Sequence, residues 1–482
     1  MSGRNRFNNI SSKEWLPFQK SWIKDVSIYD LYRSYIRFFL KFDHETNQPF
    51  VFYSGDDFDA FNKIAMDEGA IAITNLNELE KGQKIQLVFI DLLNDLRGIP
   101  SVEMLIKLRN KTFELVKLVK HFILDRRFLT IFCKNYSVQN NYLPFVWDLS
   151  ESVSQLLSLK DEKIWCSTKV PDSNESKYFF TQNNISYILH FRNDENNDID
   201  YGLFSNSNFF QKISQIEANH SFPKKLESFK IFKPTRRNKT EILHPAKYPE
   251  DVVKLFIKQF SLSGENVFDP MSGTASTQLG ALMLDRNGFG TELSPFFAKL
   301  AQERLNEYVH PKQQTMFGTD KSYLNYKIVN IDAQDINKKD FPVIDYILTS
   351  PPYWDMLNMA GAETQAKRKK QGLQTNYSES ELDVGNINDY RVFLSTLVGI
   401  YKNMFSILKP GGYCTIIVKN IKKKGKNYPF AFDLGHLLQD DMILVQEFFW
   451  LQDDISIAPY GYGNTFVSNT FHQYCLTFQK PI

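Results

Sequence analysis

The stretch "ENVFDPMSGTAST", Glu265–Thr277, decides the fold. It reads as a β-strand closing on Asp269, a loop containing Gly273, and a helix opening in "STQLGALMLDR". A strand–loop–helix unit of this kind turns backbone N–H groups and a helix N-terminus toward a polar ligand. No Gly-Lys-Ser/Thr follows, so the loop is not a phosphate-cradling P-loop. Working outward, "GFGTEL" is a second strand ending at Glu292, 23 residues beyond Asp269, where an acid can accept from ribose hydroxyls. "YKIVNIDAQDI" is a third strand, ending at Asp332. "VIDYILTSPPYW" is a fourth, stopped at Ser350 because a proline pair cannot continue a ladder. Four strands with polar carboxyl ends, joined by helical segments, predict an α/β fold with a doubly wound, mainly parallel sheet.

At 482 residues the chain is long enough for two or three domains. A hydrophobic content of 43% with 23% charged residues is that of an ordinary globular protein. The formal net charge of +2 means that attraction to nucleic acid has to come from local basic patches. Cys133, Cys166, Cys414 and Cys475 are scattered with no C-x-x-C pair, which predicts reduced core thiols and no metal site. Neither an apolar run of membrane-spanning length nor a signal-peptide core is present, so a cytoplasmic location is expected.

The chain repeats itself. "TIFCKNYSVQNNYLPFVWDL" (130–149) lies on "TIIVKNIKKKGKNYPFAFDL" (415–434) without a gap, at an offset of 285 and with 8 of 20 positions identical. "YILHF" (187–191) then lies on "YCLTF" (474–478) at an offset of 287. Two related halves follow: residues 12–195, a polar linker 196–239, and residues 240–482. Opposite "ILTSPPYW" the first half offers "VFIDLLND", so the first copy is expected to be degenerate, binding DNA or serving structure, and the two aspartates of "VFYSGDDFDAF" (51–61), where its helix would begin, predict that it holds no cofactor.

The second half resembles the DNA amino-methyltransferases, which methylate N4 of cytosine or N6 of adenine with S-adenosyl-L-methionine. The resemblance covers residues 240–480, about half the chain. "HPAKYPE" is similar to the segment that packs over the cofactor's methionine part, implying roles for His244, Lys247 and Pro249. "DPMSGTAST" is similar to the cofactor loop, implying Asp269, Pro270, Ser272, Gly273 and Thr274 as cofactor residues. Glu292 with Leu293, and Asp332 with Ala333, match the ribose and adenine positions. Ser350, Pro351, Pro352 and Tyr353 match the catalytic tetrapeptide. One departure is Ala275, where such loops carry a second glycine.

The tetrapeptide suits the chemistry. An exocyclic amino nitrogen is a poor nucleophile because its lone pair is delocalised into the ring. Acceptors on the Ser350 side chain and the Pro351 carbonyl would localise that pair, and Tyr353 would stack on a base flipped at a cost of a few kcal/mol. In the family it resembles, serine before Pro-Pro leans toward cytosine N4, which the resemblance therefore implies here, and adenine N6 is the alternative. Duplex DNA is the expected partner, with a cognate restriction endonuclease as a possible second one and neither membrane nor metal involved. Target reading is expected in the insertion 355–386, through Lys367, Arg368, Lys369 and Lys370. Trp354, Lys422, Lys423, Lys424, Arg236 and Arg237 are the further candidate contacts. Competing readings are an RNA base methyltransferase and a non-catalytic nucleic-acid-binding protein.

Overall fold

The computed structural model describes residues 8, 10–41, 48–96, 100–138, 141–168, 184–194, 228–233, 249–311, 321–352, 354, 383–423, 426–453 and 466–482. The chain divides into two compact units. The first comprises Met1–Phe229, Asn420–Pro429 and Ile455–His472; the second comprises Lys230–Lys419, Phe430–Asp454 and Gln473–Ile482. Two short segments of the C-terminal half are thus part of the first unit, a division that a single cut in the sequence could not express.

In chain order the first half runs α1 (Ser12–Trp15), β1 (Trp22–Lys24), α2 (Ile28–Phe39), β2 (Phe50–Ser54), α3 (Phe58–Asp67), β3 (Ile71–Ile73), β4 (Ile85–Asp91), α4 (Val102–Val119), β5 (Ile123–Cys133), β6 (Tyr136–Val138), β7 (Asn141–Leu143), α5 (Phe145–Ser154), β8 (Ser158–Cys166) and β9 (Ile185–Arg192). Its seven-stranded sheet has the order β1-β8-β9-β5-β4-β2-β3. Strands β3, β2, β4 and β5 are parallel, and β9 runs antiparallel to both β5 and β8.

The second half runs β10 (Phe229–Ile231), α6 (Glu250–Phe260), β11 (Asn266–Asp269), α7 (Ser276–Met283), β12 (Asn287–Thr291), α8 (Pro295–Val309), β13 (Tyr326–Val329), β14 (Ile344–Thr349), α9 (Tyr390–Ile407), β15 (Leu408–Val418), β16 (Ile421–Lys423), β17 (Lys426–Tyr428), α10 (Phe430–Leu438), β18 (Ile443–Leu451) and β19 (His472–Gln479). Its eight-stranded sheet has the order β10-β18-β19-β15-β14-β11-β12-β13. Laid on the first, every strand finds a counterpart except β13. The expected linker 196–239 is amended in one place: Phe229–Ile231 forms β10, while 196–227 and 234–239 fall outside the described residues.

The repeat read in the sequence extends to element boundaries. Strands β5 and β15, β6 and β16, β7 and β17, and β8 and β18 each begin and end 285 residues apart, and β9 and β19 are 287 apart. Both copies are Rossmann-like α/β sheets with one antiparallel strand beside β5 or β15.

Local sequence accounts for the elements. Helix α2 is capped by the Ser27 side chain, which accepts from the Asp30 N–H. It buries Leu31, Tyr32, Tyr35, Ile36, Phe38 and Phe39, an i, i+1, i+4, i+5 stripe of the kind a helix needs to cover a sheet. Helix α6 buries Val252, Val253, Phe256, Ile257 and Phe260 with the same spacing. Gly280 of α7 allows the two helices to approach closely, since a Cβ there would lie 2.4 Å from Val253 Cγ1. Much of the aromatic content is core: Tyr32 makes edge contacts with Tyr53, Phe61, Phe89 and Phe132. Each such ring contributes roughly 1.5–3 kcal/mol by burial.

Candidate active site

The site is assembled at the carboxyl ends of β11, β12, β13 and β14. Register aligns Phe268 of β11 with Ile347 of β14, so Asp269 and Thr349 emerge from neighbouring strands. The Thr349 hydroxyl donates to Asp269 Oδ1 at 2.7 Å, the Met271 N–H donates to the same oxygen at 3.0 Å, and the Thr277 hydroxyl donates to Oδ2 at 2.9 Å. Asp269 is 1% exposed. Its carboxylate therefore knits two strands, the loop and the first turn of α7, and acts as the organiser of the loop.

Behind the loop the packing is tight. The Ser272 hydroxyl donates to the Asp269 carbonyl, the Gln278 amide donates to Ser272 Oγ, and the Thr291 hydroxyl donates to the Pro270 carbonyl. Gly290 has to be glycine here: a Cβ would lie 2.2 Å from Ser272 Oγ and 2.5 Å from the Asp269 carbonyl oxygen. Gly273 and Ala275 both have positive φ, 53° and 61°. Ala275 thus accepts the left-handed conformation a second glycine would supply, at about 1–2 kcal/mol of local strain, and it is fully buried.

Glu292 lies just beyond β12. Its carboxylate accepts from the Gly273 N–H at 2.8 Å and from the Ser294 N–H at 2.9 Å. Burial pushes its pKa up to about 7, opposed by those two N–H groups and reinforced by Asp269 and Asp383. Asn330 at the end of β13 donates to the Glu292 and Leu293 carbonyls, tying the two strand ends together. Asp332 caps the turn Ala333–Asp335 by accepting from the Gln334 N–H. Loop N–H groups, the half-buried Glu292 and Asp332 thus stand at neighbouring strand ends, donors and acceptors of the kind a ligand carrying a diol and amino groups would need.

Ser350 and Pro351 follow β14 directly, Ser350 half-buried and Pro351 buried. Trp354 is corrected as a nucleic-acid contact: it is 4% exposed and its indole N–H donates to the Asn388 carbonyl at 3.2 Å. Lys422 is corrected too. In the first unit its ammonium donates to Asp161 at 2.5 Å and to the Ser468 carbonyl at 2.8 Å, so it is spent on an internal ion pair. Lys423 is half-buried. Pro249 precedes α6 as its N-cap residue. His244, Lys247, Tyr353, Lys367, Arg368, Lys369, Lys370, Lys424, Arg236 and Arg237 lie outside the described residues.

Sequence reasoning missed Thr349, Thr277 and Gln278, whose hydroxyl and amide groups complete the loop. The only signal available was their spacing around the Asp269 and Ser350 motifs. Register also identifies what stands in the first copy. Val51, Leu87 and Phe128 form one row, as do Val267, Tyr346 and Tyr413. Tyr53 accordingly occupies the place of Asp269, and Asp91 the place of Ser350. The Tyr32 hydroxyl donates to Asp91, and a Cβ on Gly55 would lie 2.6 Å from the Tyr53 hydroxyl.

Among the described residues, no group of three or more His, Cys, Asp or Glu side chains could hold a metal ion, and no helix is long and apolar enough to cross a membrane. All four cysteines are buried and free.

Residues 107–303 match the family model described as DNA methylase, the N6 and N4 methylases. The match begins within α4, runs through the Asp269 loop and ends in α8, before Ser350. The orphan methyltransferase M.BamHII of Bacillus amyloliquefaciens is 36% identical over 72 residues, 15% of this chain and 27% of its own length. The type II methyltransferase M.MjaI of Methanocaldococcus jannaschii is 33% identical over 60 residues, 12% of this chain and 20% of its own. The chain thus spans about a quarter of the length of these relatives. Among solved structures, TrmN from Thermus thermophilus has a TM-score of 0.30 at 11% identity, covering 66% of this chain and 60% of its own. Magnesium protoporphyrin IX methyltransferase from Synechocystis PCC 6803, with bound SAM, has a TM-score of 0.28 at 12% identity, covering 48% and 77%. The similarity to the DNA methylase family thus covers residues 107–303, the part of the chain that carries the Asp269-centred loop.

Proposed function

We propose that the protein is a site-specific DNA methyltransferase that transfers a methyl group from S-adenosyl-L-methionine to the exocyclic amino group of a flipped base, N4 of cytosine, within a restriction–modification system. The observation that carries this reading is the bond from Thr349 to Asp269. It fixes the start of the Ser350–Tyr353 segment against the loop that would hold the cofactor.

Each residue then has a task. Loop N–H groups and the Asp269 network would shape the methionine end, Glu292 would accept from the ribose hydroxyls, and Asp332 would accept from the adenine amino group. The cofactor supplies an electrophilic sulfonium methyl. Ser350 Oγ and the Pro351 carbonyl accept from the two N–H bonds of the target amino group and turn its lone pair out of the ring's conjugation. As the nitrogen–carbon bond forms the carbon–sulfur bond breaks, its electron pair stays on sulfur, and the surplus proton on nitrogen leaves to water. Tyr353 keeps the base in plane. Acceleration comes from positioning two bound reactants in line, and Arg or Lys side chains of the insertion 355–386 would hold phosphates.

Nucleoside mass spectrometry of plasmid DNA from expressing cells, beside a Ser350→Ala control, tests this. N4-methylcytosine that disappears in the control is the expected result. N6-methyladenine would retain the mechanism and overturn the base assignment. Neither mark on DNA, with a methylated base in RNA, would overturn the substrate class.

A further inference from the structure

Trp354 is the last described residue of the catalytic segment, and it does not end in solvent. Its indole N–H reaches the Asn388 carbonyl, so the chain on either side of residues 355–382 is joined at this point. Its ring packs on Tyr390, with centroids 5.2 Å apart and planes at 59°. Tyr390 is the first residue of α9, and Asp389 caps that helix by accepting from the Arg391 and Val392 N–H groups. The Tyr390 hydroxyl in turn donates to Asp433 Oδ2 at 2.6 Å, in the first turn of α10.

The internal repeat provides a comparison within one chain. Asp433 is the aspartate of "PFAFDL", and its partner 285 residues earlier is Asp148 of "PFVWDL". In the first copy, which lacks Pro-Pro, Arg109 donates to both Asp148 oxygens at 3.0 and 3.1 Å. The same acid in the second copy faces a tyrosine that carries the catalytic segment's tryptophan.

We infer that Tyr390 and Asp433 are positioning residues of the transferase: the half-buried Asp433 carboxylate fixes the Tyr390 hydroxyl, the Tyr390 ring seats Trp354, and Trp354 sets the carboxyl end of the Ser350–Tyr353 segment. The inference rests on the catalytic role proposed above for that segment. It also makes the seat sensitive to protonation, because burial pushes the Asp433 pKa up to about 7, with the Tyr390 hydrogen bond opposing. Asp433 shares its own helix with His436, one turn on. On α9, the helix packed against it, the other charged or titratable groups are Arg391, which is exposed, buried Tyr401, and Lys402, which is paired with Asp441 at 3.0 Å.

The test uses the full chain labelled with 5-fluorotryptophan, the Trp354 resonance being assigned with Trp354→Phe. In the unmodified sequence that resonance should shift between pH 6 and pH 8 with one midpoint near 7. In Asp433→Asn, and independently in Tyr390→Phe, the shift should vanish. A resonance that ignores pH, or one that titrates equally in Asp433→Asn, overturns the inference. Tyr390→Phe removes a single hydroxyl and carries the test if the Asp433 variant does not fold. With both variants still binding S-adenosylhomocysteine normally, kcat for DNA methylation should fall about tenfold while KM for the cofactor is unchanged. Unchanged kcat overturns a positioning role. If the unmodified protein titrates as expected yet methylates no DNA, the seat stands and the proposed function is what fails.

Discussion

Replacing Asp269 distinguishes a carboxylate used as a hydrogen-bond hub from one used as a charge. Asp269→Ala removes the acceptor of three donors: the Thr349 hydroxyl, the Met271 N–H and the Thr277 hydroxyl. Thr277 retains a partner, the Leu348 carbonyl at 3.2 Å. Two donors are then stranded beside a site that is 1% exposed. At about 1–3 kcal/mol each, the loss of stability should be roughly 2–6 kcal/mol, a large part of a typical total of about 5–15. Asp269→Asn should behave differently. Its carbonyl oxygen can keep Thr349 and Met271, while its amide donates to Thr277 Oγ1 and the Thr277 proton turns to Leu348. That variant should lie within about 1 kcal/mol of the parent. Urea unfolding of the three proteins measures the gap, and titration with S-adenosylhomocysteine reports whether the loop still binds. An Asn variant as unstable as the Ala variant would refute the hub, since Asn keeps the acceptor for Thr349 and Met271 and loses the charge. Two variants both near the parent would show that the network contributes nothing.

Glu292 predicts a pH dependence of cofactor affinity. Burial raises its pKa to about 7, so the protonated form dominates below that pH, and the carboxylate proposed above to accept from the ribose diol dominates above it. Affinity should rise about tenfold per pH unit up to about 7 and then level off; calorimetry on the parent and on Glu292→Gln checks this, and the variant should be weaker and flat. Gly290→Ala should cost cofactor binding and stability together, because no rotamer relieves the overlap with the Asp269 carbonyl oxygen; thermal unfolding with and without S-adenosylhomocysteine measures both. In the first unit, burial opposes the Asp161 charge, but Lys422 and Lys163 outweigh it and hold the carboxyl below the usual range. Lys422→Met should therefore destabilise that unit, but by less than the about 3–5 kcal/mol of a wholly unpaired buried charge, because Lys163 and the Ser468 N–H and hydroxyl still face Asp161; the unfolding midpoint in urea would report it.

Much of the architecture was legible because it is written locally. Strand ends, turn residues and proline stops are properties of a few adjacent residues, so the order Asp269, Glu292, Asp332, Ser350 could be read directly. The duplication was legible for a different reason. An ungapped offset of 285 carries no three-dimensional information of its own, yet it fixed the pairing of β5 with β15 through β8 with β18. What the chain alone could not reveal is which polar groups meet. Thr349 reaches Asp269 only because β14 lies beside β11 in the sheet, 80 residues apart in sequence. Lys422 sits in a run of lysines that reads as a phosphate patch, and only folding put it against Asp161, 261 residues away. Trp354 reads as a nucleic-acid contact, and only α9 provided the tyrosine on which its ring packs. A run of residues determines its own backbone shape and hydrophobic face; whether its charge meets solvent, a ligand or an opposite charge is set by strand order and helix packing, which bring together parts of the chain that do not constrain one another in sequence.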